Sequence, residues 1–526
     1  MRIKNSIVNL IYIWGSALLI ALLSLITRRL FLDSLKVDYL GYDGLFTSIF
    51  SFLTLSEMGI ASIITYHMYS EIATDNKKQI CKLLYMYKLI YKIVGAFVLL
   101  AGIVVSFFLP IILKDHTESW RFIYTIYFLQ LMATLCTYFF AYRRILFITN
   151  QKIYFCTMVD TIMTIISTCC KIAVLVLLKS YIAYLIVGIL NNILSNLIIA
   201  WRSKVSFPDI VKIKVTKEDF RKLNLWHDVK NMMATKIAGT IYGSSDSIII
   251  TAVLGVGAVG LVNNYQMISS KIQEFILSIF QALQASIGNL VYDKDTDKGI
   301  SFFYALDLIG FYLGLTVAVG MVAVGQDFIL VWLKKQEFQL PFLFLLLLSI
   351  NVFIAICNNP MNYFRNTLGH FESDRNYMIA AAAVNVVFTL LLAYPMGVTG
   401  VMVGTVAGHL LIFAGRTVVV YKHYVKETPV QYYFRFFIRF CIFMLTAVGT
   451  LIAVRAVPGG WLGVLIKGTS SVLISTAVFL IYSFGRDEFR VLLAYVKVVF
   501  GMIIRKEKKK DNNMDTNGKE RHESIR

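Results

Sequence analysis

From about residue 7 to residue 484 the chain is a succession of apolar stretches of 18 residues or more, separated by short polar connections. Stretches of that length with few charges read as membrane-spanning helices, because about 20 residues at 1.5 Å rise cross a hydrocarbon layer roughly 30 Å thick. The pattern predicts fourteen spans, near 7–27, 43–67, 86–113, 122–148, 154–178, 181–201, 231–254, 259–290, 302–326, 341–364, 376–394, 397–421, 434–457 and 461–484. The expected fold class is all-α integral membrane, since a helix pairs its backbone groups within its own segment.

An even number of spans puts both termini on one side. Lys and Arg gather in the connections of that side, with eight in residues 202–230 alone, while the opposite connections are short and poor in them. The positive-inside bias therefore places both termini in the cytoplasm. The first apolar run is too long for a signal core and no small-x-small cleavage site follows it, so it is expected to stay as a helix.

The pattern repeats. Gly41-Tyr-Asp-Gly44-Leu45 opens span 2 and Gly257-Ala-Val-Gly260-Leu261 opens span 8, an offset of 216 at which Glu57 also falls on Gln273. Two similar six-helix lobes in one orientation follow, as in transporters built from parallel repeats. The expected organisation is an N-terminal lobe over 1–201, a basic inter-lobe linker over 202–230, a C-terminal lobe over 231–425, and two added spans over 426–484. Residues 485–526 are expected to hold an amphipathic segment on the inner membrane surface and then a disordered basic tail.

Composition sharpens what this excludes. The chain is 58% apolar and 16% charged with mean hydropathy +0.69, far from a soluble domain. Its net charge of +20 sits in the inner connections and the tail, which suits topology and anionic lipid and gives no reason to invoke nucleic acid. The seven cysteines show neither CxxC nor metal-ligand spacing and read as packing residues. The literal G-x-G-x-x-G at Gly255-Val-Gly257-Ala-Val-Gly260 lacks the strand and soluble sheet of a dinucleotide site, and reads as small residues that let two helices turn and approach. No phosphate-binding loop, metalloprotease or nucleophile-elbow motif is present, and no outer loop is large enough for a catalytic domain. A non-enzyme without a resident metal or cofactor is expected, and a membrane glycosyltransferase or polymerase is disfavoured.

The informative residues are then the charges inside spans, which cost roughly 2.5–3.5 kcal/mol each and normally face a cavity, a partner or a substrate path. They are Glu57, Asp160, Lys171, Lys236, Asp246, Lys271, Glu274 and Asp307. Lys271 and Glu274, three residues apart, are spaced to pair on one helical face. Asp160 lies near the inner end of its span, whereas Lys171 has no local partner. Arg28 and Arg29 sit at the outer end of span 1, where topology does not call for cations. If span 1 borders a cleft, at least one presents a planar fork suited to phosphate oxygens; otherwise both reach the headgroups.

"TRRLFLDSLKVDYLGYDGLFTSIFSFLTLSEMGIASIITYHMYSEIA" (27–73) resembles the N-terminal signature of bacterial polysaccharide flippases, R-x-x-F-x-x-x-L-x-x-x-Y-L-G-x-x-G-L-F followed by L-S-x-x-E-x-G-I. Residues 244–268 and 363–405 resemble that family's span 7 to 8 and span 10 to 12 passages. One departure is Ser70, where the family often has proline. The resemblance is to the Wzx-like flippase branch of the multidrug/oligosaccharidyl-lipid/polysaccharide exporter superfamily. It implies a protein of the bacterial cytoplasmic membrane that moves undecaprenyl-pyrophosphate-linked oligosaccharide to the outer leaflet by alternating access, and it supports Arg28 or Arg29, Glu57, Asp246 and Asn264 as functional positions.

That task fits the chemistry available. A pyrophosphate and its sugars need a polar cleft while the polyprenyl tail stays in lipid. The candidate headgroup cations are Arg28, Arg29, Lys171, Lys236 and Lys271. The candidate sugar-binding residues are Asn263, Asn264, Tyr265 and Gln266; Asn358, Asn359 and Asn362 read first as amide partners for backbone freed at Pro360. Glu57 and Asp246 are candidates to carry a coupling proton or sodium ion. Export of negative charge is favoured by an inside-negative potential by about 2.3 kcal/mol per charge per 100 mV, so no ATP site is required. Expected partners are the lipid-linked substrate, membrane lipid and other membrane proteins of polysaccharide assembly. The alternative is an ion-coupled multidrug or metabolite exporter of the same superfamily.

Overall fold

Fourteen long helices, with no strand among the described residues, make up the computed structural model. It describes residues 2–494 apart from 55–63, 66, 69, 70, 73, 75, 114, 115, 117, 139, 140, 151, 211–224, 292–295, 369 and 370, and without side chains for 2–14, 225–236, 282–286, 288–291, 296 and 371–374. The helices are α1 (Arg2–Ser34), α2 (Val37–Leu53), α3 (Lys77–Ser106), α4 (Trp120–Tyr138), α5 (Ile153–Leu177), α6 (Tyr181–Ser206) and α7 (Leu225–Leu254). They continue as α8 (Val256–Val291), α9 (Thr296–Leu333), α10 (Phe342–Cys357, resuming as Asn359–Leu368), α11 (Phe371–Met396), α12 (Val398–Val420), α13 (Val430–Ala453) and α14 (Trp461–Ser483).

Twelve of these, all but α2 and α8, are long and apolar enough to cross a membrane among the described residues. The described part of α2 is 17 residues long. α8 has 36 residues, but Asn263, Asn264, Gln266, Lys271, Gln273 and Glu274 crowd its middle. A helix that polar spans only where protein or water covers its polar face.

The helices overrun their apolar cores, because a helix persists until something caps it. α1 runs seven residues past 27 to Ser34, so Arg28 and Arg29 lie within it. α6 continues to Ser206 and α7 begins at Leu225, which narrows the expected 202–230 linker; its residues 211–224 lie outside the described set. Asn76 caps α3 by accepting from Gln79 N at 3.3 Å, and Ser180 caps α6 by accepting from Ala183 N at 3.4 Å. Gly255, at φ +87°, makes the one-residue turn between α7 and α8 that a side chain would strain. Residues 487–494 are helical, and the expected amphipathic and tail segments beyond them, like Ser70, lie outside the described residues.

Within the N-terminal half α1 packs on α5, α5 on α6 and α4 on α6; within the C-terminal half α7 packs on α11, α11 on α12, and α10 on both α9 and α12. α13 and α14 both pack on α9. They are held there by charge as well as contact. Arg439 of α13 meets Asp307 of α9 at 2.5 Å, with both side chains buried, and the Tyr432 hydroxyl donates to the same carboxylate at 2.7 Å. Lys467 of α14 meets Asp327 of α9 at 2.5 Å.

α2 breaks the segregation, since its main neighbours are α8 and α7 of the other half. The glycines of the repeat explain why. A Cβ on Gly41 would collide with the backbone carbonyl of Val256, one on Gly44 with the Asn263 side chain, and one on Gly260 would stand 2.6 Å from Val37 O. Asn263 Nδ2 also donates to Leu40 O at 3.3 Å. The two echoes of one motif thus pack backbone to backbone across the lobes, where small residues allow close van der Waals contact that lipid cannot match.

Candidate substrate cleft and its polar clusters

The α2–α8 contact closes the lobes together at the face carrying the α1–α2 and α7–α8 turns. Past it, about ten residues or 15 Å of helix inward, a cleft of about 780 Å³ opens between α1 and α5 on one side and α8 on the other. Its size lies within the range of about 300–1,000 Å³ typical of ligand sites. Ser16, Ser24, Thr157, Thr161, Thr164 and Gln281 supply neutral polar groups, and Leu18, Leu25, Ile268 and Phe275 supply apolar walls.

The charges along this cleft are locally paired. Lys271 Nζ lies 2.7 Å from Glu274 three residues on, a partly exposed pair. Asp160 receives two bonds from Arg144, at 2.6 and 2.8 Å, and one from the Ser195 hydroxyl at 2.5 Å. Arg144 Nε further donates to Asn196 Oδ1 at 3.0 Å. The planar fork is thereby fixed in the geometry that suits a carboxylate.

One turn beyond Leu25, Arg28 points into the N-terminal lobe. There it stands in the electrostatic field of Asp43 and beside Tyr181 and Tyr184. Lys171 lies 4.6 Å over the Tyr184 ring and also acts on Asp43. Asp43 accepts from Gln130 Nε2 at 2.8 Å and from the Tyr181 hydroxyl at 3.4 Å. One carboxylate is therefore shared by two cations, both of which keep their hydrogen-bond donors unspent among the described residues. Arg29 turns the other way, with Nε 3.8 Å from Asp33 Oδ2 in a half-exposed pair. Lys236 lies on α7, but its side chain lies outside the described residues, as does the whole of Glu57.

In the C-terminal lobe Asp246 of α7 is buried and carries no cation among the described residues. It accepts from Thr405 Oγ1 at 2.7 Å and Asn385 Nδ2 at 3.3 Å, while Ser245 donates to Asn385 Oδ1 at 3.0 Å. The four residues named from the sequence at the start of α8 are divided. Asn263 is held at the inter-lobe contact. Asn264 is fully buried with neither end of its amide partnered. The Tyr265 hydroxyl accepts from Leu340 N at 2.9 Å and packs its ring edge on Phe344, and Gln266 is half-buried.

Sequence reasoning missed Asp43, Arg144, Asn385 and Thr405. Asp43 had a signal, a lone carboxylate between two glycines in Gly41-Tyr-Asp-Gly44, but that stretch was read only as one echo of the repeat. Arg144 was hidden within the apolar run of a span. Asn385 and Thr405 are neutral and lie 139 and 159 residues from the carboxylate they serve, beyond the reach of any local pattern.

The chain is a two-lobe membrane bundle with polar groups gathered inside each lobe and a cleft between them. Residues 6–284 match the polysaccharide biosynthesis protein family, and the chain belongs to it. Its fold matches the lipid II flippase MurJ in an inward closed conformation, at TM-score 0.65 and 14% identity over 91% of this chain and 99% of that one. It also matches an inward-facing multidrug resistance MATE family transporter of the MOP superfamily, at 0.61 and 12% over 76% and 94%. A third match is a mutant form of the Vibrio cholerae MATE transporter VcmN, at 0.55 and 13% over 81% and 97%. The search of curated protein sequences gives no match. The expected all-α membrane fold is thus the observed one, and it is the fold shared by these flippase and MATE structures.

Proposed function

We propose that this protein flips undecaprenyl-pyrophosphate-linked oligosaccharide from the cytoplasmic to the outer leaflet of a bacterial cytoplasmic membrane, with both termini cytoplasmic. The observation that carries the reading is a cleft between two lobes that is sealed at one end by the glycine contact of α2 with α8. Parting that contact while the opposite end closes gives alternating access without any chemical step. The family supports the lipid-linked glycan as cargo.

Arg28 and Lys171 are the headgroup cations of this reading, with Asp43 as their counter-ion while no substrate is bound. A pyrophosphate that reaches them takes over donors that Asp43 leaves unspent, and their charge offsets the cost of bringing it below the headgroups. The surplus is one positive charge for two cations and one carboxylate. Lys271 and Arg29 contribute less because each has a carboxylate beside it. Asp246 is the candidate for ion coupling, since its oxygens lie among neutral donors and would gain from a proton or sodium ion.

The test is a deletion strain complemented with variants and analysed for the leaflet that holds the lipid-linked intermediate. Arg28→Gln and Lys171→Gln are expected to trap it on the cytoplasmic side while Arg29→Gln restores surface polymer. Normal polymer in the Arg28→Gln, Lys171→Gln double variant removes these cations from the mechanism. The second reading, an exporter of apolar cations, is favoured by the apolar part of the cleft wall, Leu18, Leu25, Ile268 and Phe275. Export of a cationic dye by reconstituted vesicles, indifferent to Arg28, would establish it.

A further inference from the structure

α10 is broken at Asn358, one residue before its second part begins, because Pro360 has no N–H to continue the ladder. The backbone at the break is nonetheless satisfied without side-chain help. Asn358 N donates to Ile354 O at 2.9 Å and Asn362 N donates to Asn358 O at 3.0 Å. Among the described residues none of the amides of Asn358, Asn359 and Asn362 is spent on main-chain groups. The sequence-based reading of these amides as partners for freed backbone therefore does not describe them.

Instead all three line a cavity of about 370 Å³ inside the C-terminal lobe, together with Gln273, His409 and Arg416. Asn358 is 97% buried, being 3% exposed, and its Oδ1 has no partner. An amide oxygen sealed from bulk water without a partner costs about 1–3 kcal/mol, so its persistence in a cavity wall points to a ligand donor. His409 Nδ1 lies 2.7 Å from Asn351 Oδ1. An amide oxygen only accepts, so Nδ1 donates and Nε2 is left as an acceptor. Arg365 Nη2 donates to Asn362 Oδ1 at 2.9 Å, which fixes the orientation of that amide. The cavity adjoins the inter-lobe cleft, since Glu274 and Leu277 of α8 line both.

We propose that this cavity is a saccharide subsite, holding sugar hydroxyls of the lipid-linked glycan while the pyrophosphate stays with the cations of the other lobe. The inference rests on the flippase reading above and adds where the glycan goes. Hydroxyls both donate and accept, as do the amides that face them here, and amides cost less to bury than charges. A phosphate is the poorer occupant. Arg416 is the one cation in the cavity lining, against the pair Arg28 and Lys171 in the other lobe, and the Glu274 carboxylate at the shared wall repels an entering dianion.

The experiment uses the full chain in nanodiscs and two probes, bare undecaprenyl pyrophosphate and the lipid-linked glycan extracted from a deletion strain. The wild type is expected to bind the glycan-bearing lipid more tightly. Asn362→Ala and Gln273→Ala should each reduce that preference by about 2- to 10-fold, the loss of one hydrogen bond, while affinity for the bare lipid stays unchanged. Gln273 is only half-buried, so its variant keeps the test valid if truncation in the α10 break harms folding. Equal binding of both lipids by the wild type, or a full preference retained by both variants, overturns the subsite and leaves the flippase reading standing. Failure of the wild type to bind either lipid overturns the flippase reading itself.

Discussion

Gly260→Ala tests whether the α2–α8 contact is a gate. The added methyl would lie 2.6 Å from Val37 O and 3.3 Å from Gly41 N, both backbone atoms that cannot rotate away. Ordinary contact begins near 3.4 Å, so α2 and α8 must part by at least about 0.8 Å along this line. Overpacking of this kind costs about 1–3 kcal/mol. The helix propensity gained by replacing glycine, about 0.5–1 kcal/mol, applies whether the lobes are together or apart and cancels from the ratio. The population sealed at this face should fall about 5- to 150-fold relative to the open one. Spin labels at Lys179→Cys and Lys334→Cys, exposed on opposite lobes at this face, report the separation by electron–electron dipolar spectroscopy. Cys169 and Cys170, both exposed, are replaced by Ser in that background. The variant is expected to move weight from a short distance to a longer one. An unchanged distribution in a folded Gly260→Ala protein would show that the glycines serve packing alone.

Two further outcomes follow from buried charge. Arg439→Met leaves Asp307, 2% exposed, without its cation, and should destabilise the protein by about 3–5 kcal/mol, whereas Asp307→Asn added to it recovers most of the loss. Thermal unfolding in detergent measures both, and a double-mutant coupling near zero would mean that the pair does not anchor α13. Asp246→Asn should abolish the dependence of vesicle transport on a sodium or proton gradient while the protein still folds. A gradient dependence that survives excludes Asp246 as the coupling site.

What the sequence could reveal was set by how local each interaction is. Apolar runs announce helices because every residue of a span meets lipid or another helix, so all-α architecture was legible throughout. The glycines that the sequence singled out proved structural, since Gly41 and Gly260, one from each echo, face backbone atoms that leave no room for a Cβ. Lys271 and Glu274, three residues apart on one helix, are the kind of pair that spacing exposes. Asp307 shows the opposite case. It stood out in the sequence as an intramembrane acid, but its partner Arg439 is 132 residues away in α13. Asn358, Asn359 and Asn362 were read through the nearby proline, and their cavity is formed by α8 and α12, which no pattern in α10 encodes.

Charge compensation separates the sites that hold the fold from those that await something. Asp307 and Asp327 are answered by Arg439 and Lys467, and Asp160 by Arg144, each through a direct ion pair. Asp43 and Asp246 are not answered one to one in this way. Around Asp43 the cations Arg28 and Lys171 exceed the carboxylate by one, and at Asp246 a carboxylate stands with neutral partners. An unpaired intramembrane charge costs roughly 2.5–3.5 kcal/mol, so an anion at the first place and a cation at the second each relieve a cost the fold leaves in place. α2 links them. It carries Asp43, packs on α7, which carries Asp246, and forms the inter-lobe contact with α8. Occupancy at either place therefore bears on the same helix that must move for the lobes to part, which is the physical requirement for coupling an ion to a headgroup without direct contact between them.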